Sequence, residues 1–491
     1  MKKINQIIYM SVLATVALSG CKKFLEHQPD DRSELNTPVK VAELLANAYP
    51  HGNYIPFAEA MSDNAGDKGN RSGNAIDITN ESPWKYEDQV DAQLADTPPY
   101  YWNACYKAIS AANYALEAIE KGGNTEAYMA SKGEALVARA YSHFMLVTFF
   151  SKAYDPATAA SDPGIPYVTA PQKTVEGSYR RGTVAEVYAQ IEKDLEEGIP
   201  LIRNNTYRVP KYHFTTQAAH AFATRFYLFK KDYLKVVDHA NAVFPGATVA
   251  ASLRPWNTTY NALGYYELQA LYTNSSEPAN LLIQESATSW GTSYAEYNYS
   301  LSSEVQKIFN PANNPIKRAL AISSKVFGGT EFFLNIPKFR NHIVKETINA
   351  SFGEFYNMIP LLTAEEVLFN RAEANVMLGN NPAAVTDMDA YLSKRIVNYS
   401  PTAMKFTEAK AMAFFPGMDV KDALVGSILN FKRQEYMHEG IRWFDIIRLK
   451  IPITHPYISG GEVITLGAND PRRVIQLPQE AIALGLEKNA R

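Results

Sequence analysis

Apolar residues recur along this chain mostly at helical spacing, and the polar residues between those runs supply helix starts. Thr37-Pro38 predicts a helix reaching about Tyr49, because a cap residue precedes proline at the first helical position, where a missing N–H costs nothing. Thr183-Val184-Ala185-Glu186 reads as a capping box ahead of Val187, Ile191 and Leu195, which share one face. Further helices are predicted over about 100–120, 126–150, 215–230, 232–244, 363–378, 382–396 and 421–449. Strand patterns are short and scattered, at Asn280–Gln284 and Val474–Leu477.

Two helix pairs share a design. Ala219 to Tyr227 alternates small and aromatic residues at helical spacing, and Lys231-Asp232-Tyr233 then turns the chain into a second helix. Val367 to Met377 does the same before the Gly379-Asn380-Asn381-Pro382 turn. Small-residue faces let helices nest closely, as in tetratricopeptide-type hairpins, although no strict 34-residue period is kept. Two unrelated hairpins would give the same pattern. Between the pairs, residues 245–362 are rich in Gly, Pro, Asn, Ser and aromatics. So long an irregular stretch inside a globular chain is expected to carry function. The pattern predicts a mainly α protein: a scaffold of helical hairpins, an irregular ligand-binding face and a few short strands. It divides as a signal over 1–20, helical regions over 21–244 and 363–491, and the irregular segment 245–362, with 21–491 as one unit.

The first 21 residues change the picture of where this fold works. Lys2 and Lys3 precede an apolar run, Ile7 to Leu18, of about a dozen residues, short of the roughly 20 that a membrane-spanning helix needs. Leu18-Ser19-Gly20-Cys21 closes the run and resembles a bacterial lipobox, in which Cys21 is acylated and becomes the first mature residue. Loss of Lys2 and Lys3 takes the formal charge from -3 to -5. An acidic mature chain argues against nucleic acid as a partner. With Cys21 lipidated, Cys105 is left alone, so no internal disulfide is expected.

Chemistry-bearing patterns are few. The chain has no G-x-S-x-G, H-E-x-x-H or P-loop, and its nine histidines lack ligand spacing, so no catalytic residue, cofactor or metal site is predicted. Asp63-Asn64-Ala65-Gly66-Asp67 reads as a polar turn rather than a calcium loop. The sharper signal is aromatic. Trp256, Tyr260, Tyr265, Tyr266, Tyr272, Trp290, Tyr294, Tyr297 and Tyr299 fall in one stretch without a single Phe, although the chain has 23. Rings with a polar edge suit a wet face on which sugar C–H groups stack, while residues such as Asn298 bind hydroxyls. The other reading is that these rings pin a long loop. Trp290, Tyr294, Tyr297 and Asn298 are the candidate ligand residues, with Trp84 and Tyr86 across the site.

The C-terminal stretch Arg433-Gln434-Glu435-Tyr436-Met437-His438-Glu439-Gly440-Ile441-Arg442-Trp443-Phe444-Asp445-Ile446-Ile447-Arg448 closely resembles the signature of the SusD/RagB family. Cys21-Lys22-Lys23-Phe24-Leu25, Gly133-Glu134-Ala135, Arg371-Ala372-Glu373-Ala374 and Leu477-Pro478 resemble its other motifs, in the family's order. The resemblance implies a non-catalytic outer-membrane lipoprotein that binds an oligosaccharide and hands it to a SusC-like TonB-dependent transporter. It implies surface exposure as well, although Lys22-Lys23 departs from the acidic residues many surface-displayed members carry there. Its RagB branch implies an oligopeptide as the alternative ligand. From another class, a lipid-anchored glycan hydrolase would need a carboxylate pair or nucleophile in a cleft. Within the signature, spacing places Asp445 on one face with Arg442 and Arg448, an ion-pair ladder with Trp443 and Phe444 in the core.

Overall fold

Threonine side chains start most of the long helices, because each accepts a hydrogen bond from a first-turn N–H that has no partner within its helix. The computed structural model describes residues 35–69, 77–89, 94–172, 179–245, 249–329, 333–345, 347 and 349–491; Cys21 and the signal lie outside them. Contacts divide the chain into Met1–Asn36 and one larger unit, Thr37–Arg491, which carries every element below. Its helices begin with α1 (Pro38–Leu45, capped by Thr37), α2 (Ile55–Ala60) and α3 (Ile78–Lys85). The long pair α4 (Pro98–Lys121) and α5 (Glu126–Phe150) follows, then α6 (Val184–Gly198) with the expected capping box of Thr183 and Glu186. The two expected hairpins are α7 (Thr216–Lys230) with α8 (Tyr233–Val243), and α12 (Ala364–Met377) with α13 (Asn381–Ser393). Between them lie α9 (Tyr265–Tyr272), α10 (Trp290–Glu296) and α11 (Ser303–Gln306); after them come α14 (Glu408–Phe414), α15 (Val420–Glu435), α16 (Ile441–Arg448) and α17 (Gln479–Ala483).

Neighbouring helices pack in sequence order: α4 on α5, α5 on α6, and α7 on α8. The two hairpins meet through α7 and α8 against α12. Ala218, Ala219, Ala221 and Ala223 on α7 and Ala372 and Ala374 on α12 are buried, so small side chains do bring these helices together. Arg225 of α7 ties the contact with two bonds to Glu366 of α12, each 2.6 Å. The fold is mainly α, a scaffold of tetratricopeptide-like hairpins.

The strands are β1 (Gly66–Asp67), β2 (Asn280–Ala287), β3 (Tyr299–Ser300), β4 (His342–Val344), β5 (Glu354–Thr363), β6 (Ile453–Pro456) and β7 (Val463–Leu466). β1 pairs with β3 and β6 with β7, while β2, β5 and β4 form an antiparallel sheet in that order. Gly52 extends the sheet by a parallel bridge to Ala287. Val474–Leu477, expected as a strand, is extended chain after a 3-10 turn, held instead by the Ile475 N–H on the Phe149 carbonyl.

The helix expected over 421–449 is two helices. His438 (φ 77°) and Gly440 (φ 69°) take left-handed conformations between α15 and α16. The buried carboxylate of Glu59 accepts the freed N–H groups of His438 (2.6 Å) and Gly440 (2.9 Å). Helical spacing cannot reveal such a break, because the partner that stabilises it lies almost 400 residues away. The expected ladder is altered by the same bend. Asp445 bonds Arg448 and Lys432, whereas Arg442 turns to Asp63 at 2.8 and 3.0 Å. Trp443 and Phe444 are buried as expected.

The irregular segment is fastened to this region by buried charge. Arg254 pairs with Glu365 at 2.9 Å, Arg395 bridges Glu365 and Glu435, and Lys338 reaches Glu439 at 2.6 Å. Each ion offsets its desolvation through several partners, which is the condition under which buried ions are tolerated.

Candidate functional site

All six ligand residues expected from the sequence are buried; the most accessible, Tyr86, is 7% exposed. Five of the six spend their polar groups on partners inside the protein, and the Tyr294 hydroxyl is buried without one. Trp84 donates its Nε1–H to the Ala65 carbonyl (3.0 Å) and Tyr86 its hydroxyl to the Met61 carbonyl (2.8 Å). Trp290 donates to the His438 carbonyl (2.9 Å), Tyr297 meets the Thr79 hydroxyl (3.2 Å), and Asn298 donates to Asp67 (3.1 Å). Tyr294 packs its ring 3.8 Å from that of His438. The expectation of an exposed aromatic run is therefore corrected. Tyr and Trp replace Phe there because buried acceptors await their polar edges: Trp256 donates to Glu435, Tyr260 to Glu277 and Tyr272 to Glu439. Of the nine rings, Tyr266 stands out at 75% exposed, and Tyr265 is half-buried.

These residues form two structural clusters. Trp290 and Tyr294 clamp the bend at His438, whose imidazole burial keeps uncharged, with its pKa well below the ordinary value. Trp84 and Tyr86 belong to a column of near-parallel rings: Tyr299 on Trp84 (4.1 Å), Trp84 on His455 (4.9 Å), and His455 on Tyr86 (5.3 Å). A polar cleft of about 330 Å³ opens beside this column, with Asp63, Asp67, Ser302 and Tyr457 in its wall. Its carboxylates are committed. Asp63 is held by Arg433 and Arg442, and Asp67 by Asn298 and the N–H groups of Gly69 and Ile458. Another pocket, about 320 Å³, is walled by Trp102, Tyr106, Val168 and Leu484 and is largely apolar.

A different surface combines open ring faces with polar groups. Pro98 and Pro99 open α4, and the Thr97 cap sets Tyr100 in the first turn. Tyr100, Asn103 and Lys107 follow at helical spacing on one face and line a cavity of about 270 Å³ with Asn47, Tyr49 and His51. Beside it, Ala287, Tyr356 and His342 lie in register across β2, β5 and β4, and Gly52 adds to the row by its bridge to Ala287. Gly52 is required there. A Cβ at that position would stand 3.0 Å from the Ala104 Cβ and 3.3 Å from the Tyr100 ring. Gly52 and Ala287 are buried, Gly52 beneath Ala104 and Tyr100, so the exposed part of this row is made by Tyr100 at one end and Tyr356 and His342 at the other. All three rings are partly exposed.

The rim is polar. His342 Nε2 meets Glu285 at 2.6 Å, and His51 donates to the Glu285 carbonyl at 3.2 Å. Burial, then the adjoining Tyr356 and Glu354, pushes the Tyr100 hydroxyl up; burial and the nearby Glu354 and Glu285 do the same at Tyr356. Both hydroxyls stay protonated at neutral pH and can donate or accept. Behind Tyr100, burial lifts Asp96 to about 7, and its Oδ1 has no hydrogen-bond partner. The arrangement offers ring faces, hydroxyls, amides and an amine, with no carboxylate pair facing across the cavity.

Sequence reasoning did not single out Tyr100, which directly precedes Tyr101 and Trp102, both buried. The available signal was the Pro-Pro start, which fixes the helical phase and turns residues 100, 103 and 107 together. Tyr356 carried no comparable signal, because Glu354-Phe355-Tyr356-Asn357-Met358 does not alternate polar with apolar residues.

Residues 23–228 match a SusD-like family model described as "Starch-binding associating with outer membrane". No curated protein matches the chain. Solved structures share its fold. A SusD superfamily protein from Bacteroides thetaiotaomicron is similar with a TM-score of 0.70 at 20% identity, covering 93% of this chain and 100% of its own. A SusD-like carbohydrate binding protein from Bacteroides vulgatus gives 0.58 at 18%, covering 90% and 93%. A laminarin binding SusD-like protein gives 0.58 at 16%, covering 92% and 98%.

Proposed function

We propose that this chain, a member of the SusD-like family, is a non-catalytic binding protein that captures an oligosaccharide on the Tyr100–Tyr356–His342 platform. One observation carries the reading: the partly exposed rings of Tyr100, Tyr356 and His342 lie near one another, with hydroxyl and amide groups at their edges. A pyranose offers that surface a face of C–H groups and a rim of hydroxyls, so stacking and hydrogen bonding act together. Glu285, His342 and Tyr356 come from the 245–362 segment and Tyr100 from the helical region before it. The match to a starch-binding, outer-membrane-associated family and the fold shared with carbohydrate-binding and laminarin-binding proteins support glycan over peptide. Cys21 would anchor the protein in the outer membrane by lipid, facing outward, and the captured glycan would pass to a SusC-like TonB-dependent transporter.

Titration calorimetry of the soluble mature chain against glycan and peptide panels tests this. Binding of a glycan should weaken by about 1–3 kcal/mol in Tyr100→Ala and in Tyr356→Ala, by analogy with base–aromatic stacking. The melting temperature should change little, because both rings are partly exposed. Ligand recovered unaltered after long incubation agrees with binding alone; turnover by purified protein would reverse it. A glycan affinity untouched by both substitutions would remove the platform from the site.

A further inference from the structure

The platform has an electrical direction. At its cavity end, Lys107 sits on the same α4 face as Tyr100 and Asn103. Its helix supplies no compensating acid: positions 103, 104, 110 and 111, three and four residues away, are Asn, Ala, Ser and Ala. Among the described residues, the Lys107 ammonium makes no hydrogen bond or ion pair. No aspartate or glutamate lines the cavity, whose remaining polar groups are Asn47, Tyr49, His51, Tyr100 and Asn103. The acids of the neighbourhood lie outside the cavity lining, although Glu354 adjoins Tyr100 and Tyr356. Glu285 is bound to His342, and Glu354 lies at the strand end of the platform. Asp96 is buried behind Tyr100, while Glu134 lies beneath Tyr49, bonded to it and to His213. A cation without a counter-ion, beside open ring faces in a chain of net negative charge, concentrates positive potential at one point.

We infer that the ligand carries a carboxylate at this end: a uronate-bearing oligosaccharide, its rings on Tyr100 and Tyr356 and one carboxylate on Lys107 with Asn103 and His51 beside it. The inference rests on the reading of the platform as a glycan site and adds the charge of the sugar to it. Lys107 is exposed and hydrated, and a uronate exchanges that water for a charge-assisted hydrogen bond, which a neutral glucan does not offer.

The test uses tetrasaccharides of glucuronan, galacturonan and alginate, each beside its carboxyl-reduced neutral counterpart, by calorimetry on the mature chain. At least one acidic member should bind about tenfold more tightly than its reduced form in low salt, the scale of one charged hydrogen bond. The preference should shrink between 20 and about 500 mM salt, as screening requires. Lys107→Gln should abolish the preference, bringing the acidic form to the affinity of the reduced form, with thermal stability unchanged. Tyr100→Ala should weaken both forms. Equal binding of acidic and reduced forms, or a preference that survives Lys107→Gln, overturns the uronate inference and leaves the platform standing. Binding of neither class, in a chain that binds a peptide, overturns both.

Discussion

At the residue scale, aromatic side chains divide by where their polar edge goes. Trp84 and Trp290 have theirs on buried carbonyls, so either change to alanine should cost about 3–5 kcal/mol of stability, as for other large rings removed from a core. Urea unfolding checks this, and a mutant within 1 kcal/mol of the parent would contradict the burial argument. Asp96 supplies a prediction in pH. Its carboxyl rises from 3.8 to about 7 on folding, so between those values the folded chain holds a proton that the unfolded chain has released. Its contribution to stability is complete below about pH 4 and is lost as pH rises through 7. Asp96→Asn should therefore flatten the decline in melting temperature from pH 5 to 8; parallel curves for mutant and parent would refute it. The sequence made the identity of these residues legible but not their exposure. A run of Trp and Tyr without Phe signals that polar edges are needed. Whether water or a buried Glu435, Glu277 or Glu439 meets them depends on chain tens to hundreds of residues away.

At the element scale, helices with local start signals were read well: Thr37 and Thr183 each cap where spacing and composition said they should. The break between α15 and α16 was missed because its cause is Glu59. Gly440→Ala should cost about 1–2 kcal/mol from the left-handed backbone alone. The new Cβ would also stand 3.1 Å from the Ala58 Cβ, so the loss should exceed a simple helix-propensity change. Thermal unfolding reads it directly. The ion cluster that fastens the irregular segment should be less forgiving. Arg395→Met strands Glu435 in the interior, leaves Glu365 with Arg254 alone, and should destabilise by about 3–5 kcal/mol. A neutral outcome would mean that these carboxylates take up protons without penalty.

At the scale of the whole molecule, the general layout was legible and the site was not. Hairpins, the irregular segment and the family signature follow from local patterns, whereas the platform arises only when α4 meets Gly52 and a strand at residue 356. Anchoring is a separate property. Cys21→Ala should release the protein from membranes without altering glycan affinity, since an acyl chain adds about 0.8 kcal/mol of membrane affinity per buried CH₂ and touches no part of the core. Fractionation in cells lacking the transporter is the check, and a mutant that still sediments with membranes would refute the lipid anchor. The ring column and the clamp at His438 have an optical consequence as well. Trp84, Trp102, Trp256, Trp290 and Trp443 are all buried, none more than 5% exposed. Their emission should be blue-shifted and nearly immune to iodide quenching in the folded state. It should report unfolding sharply while staying dark to the sugar, because the rings proposed to meet ligand are tyrosines.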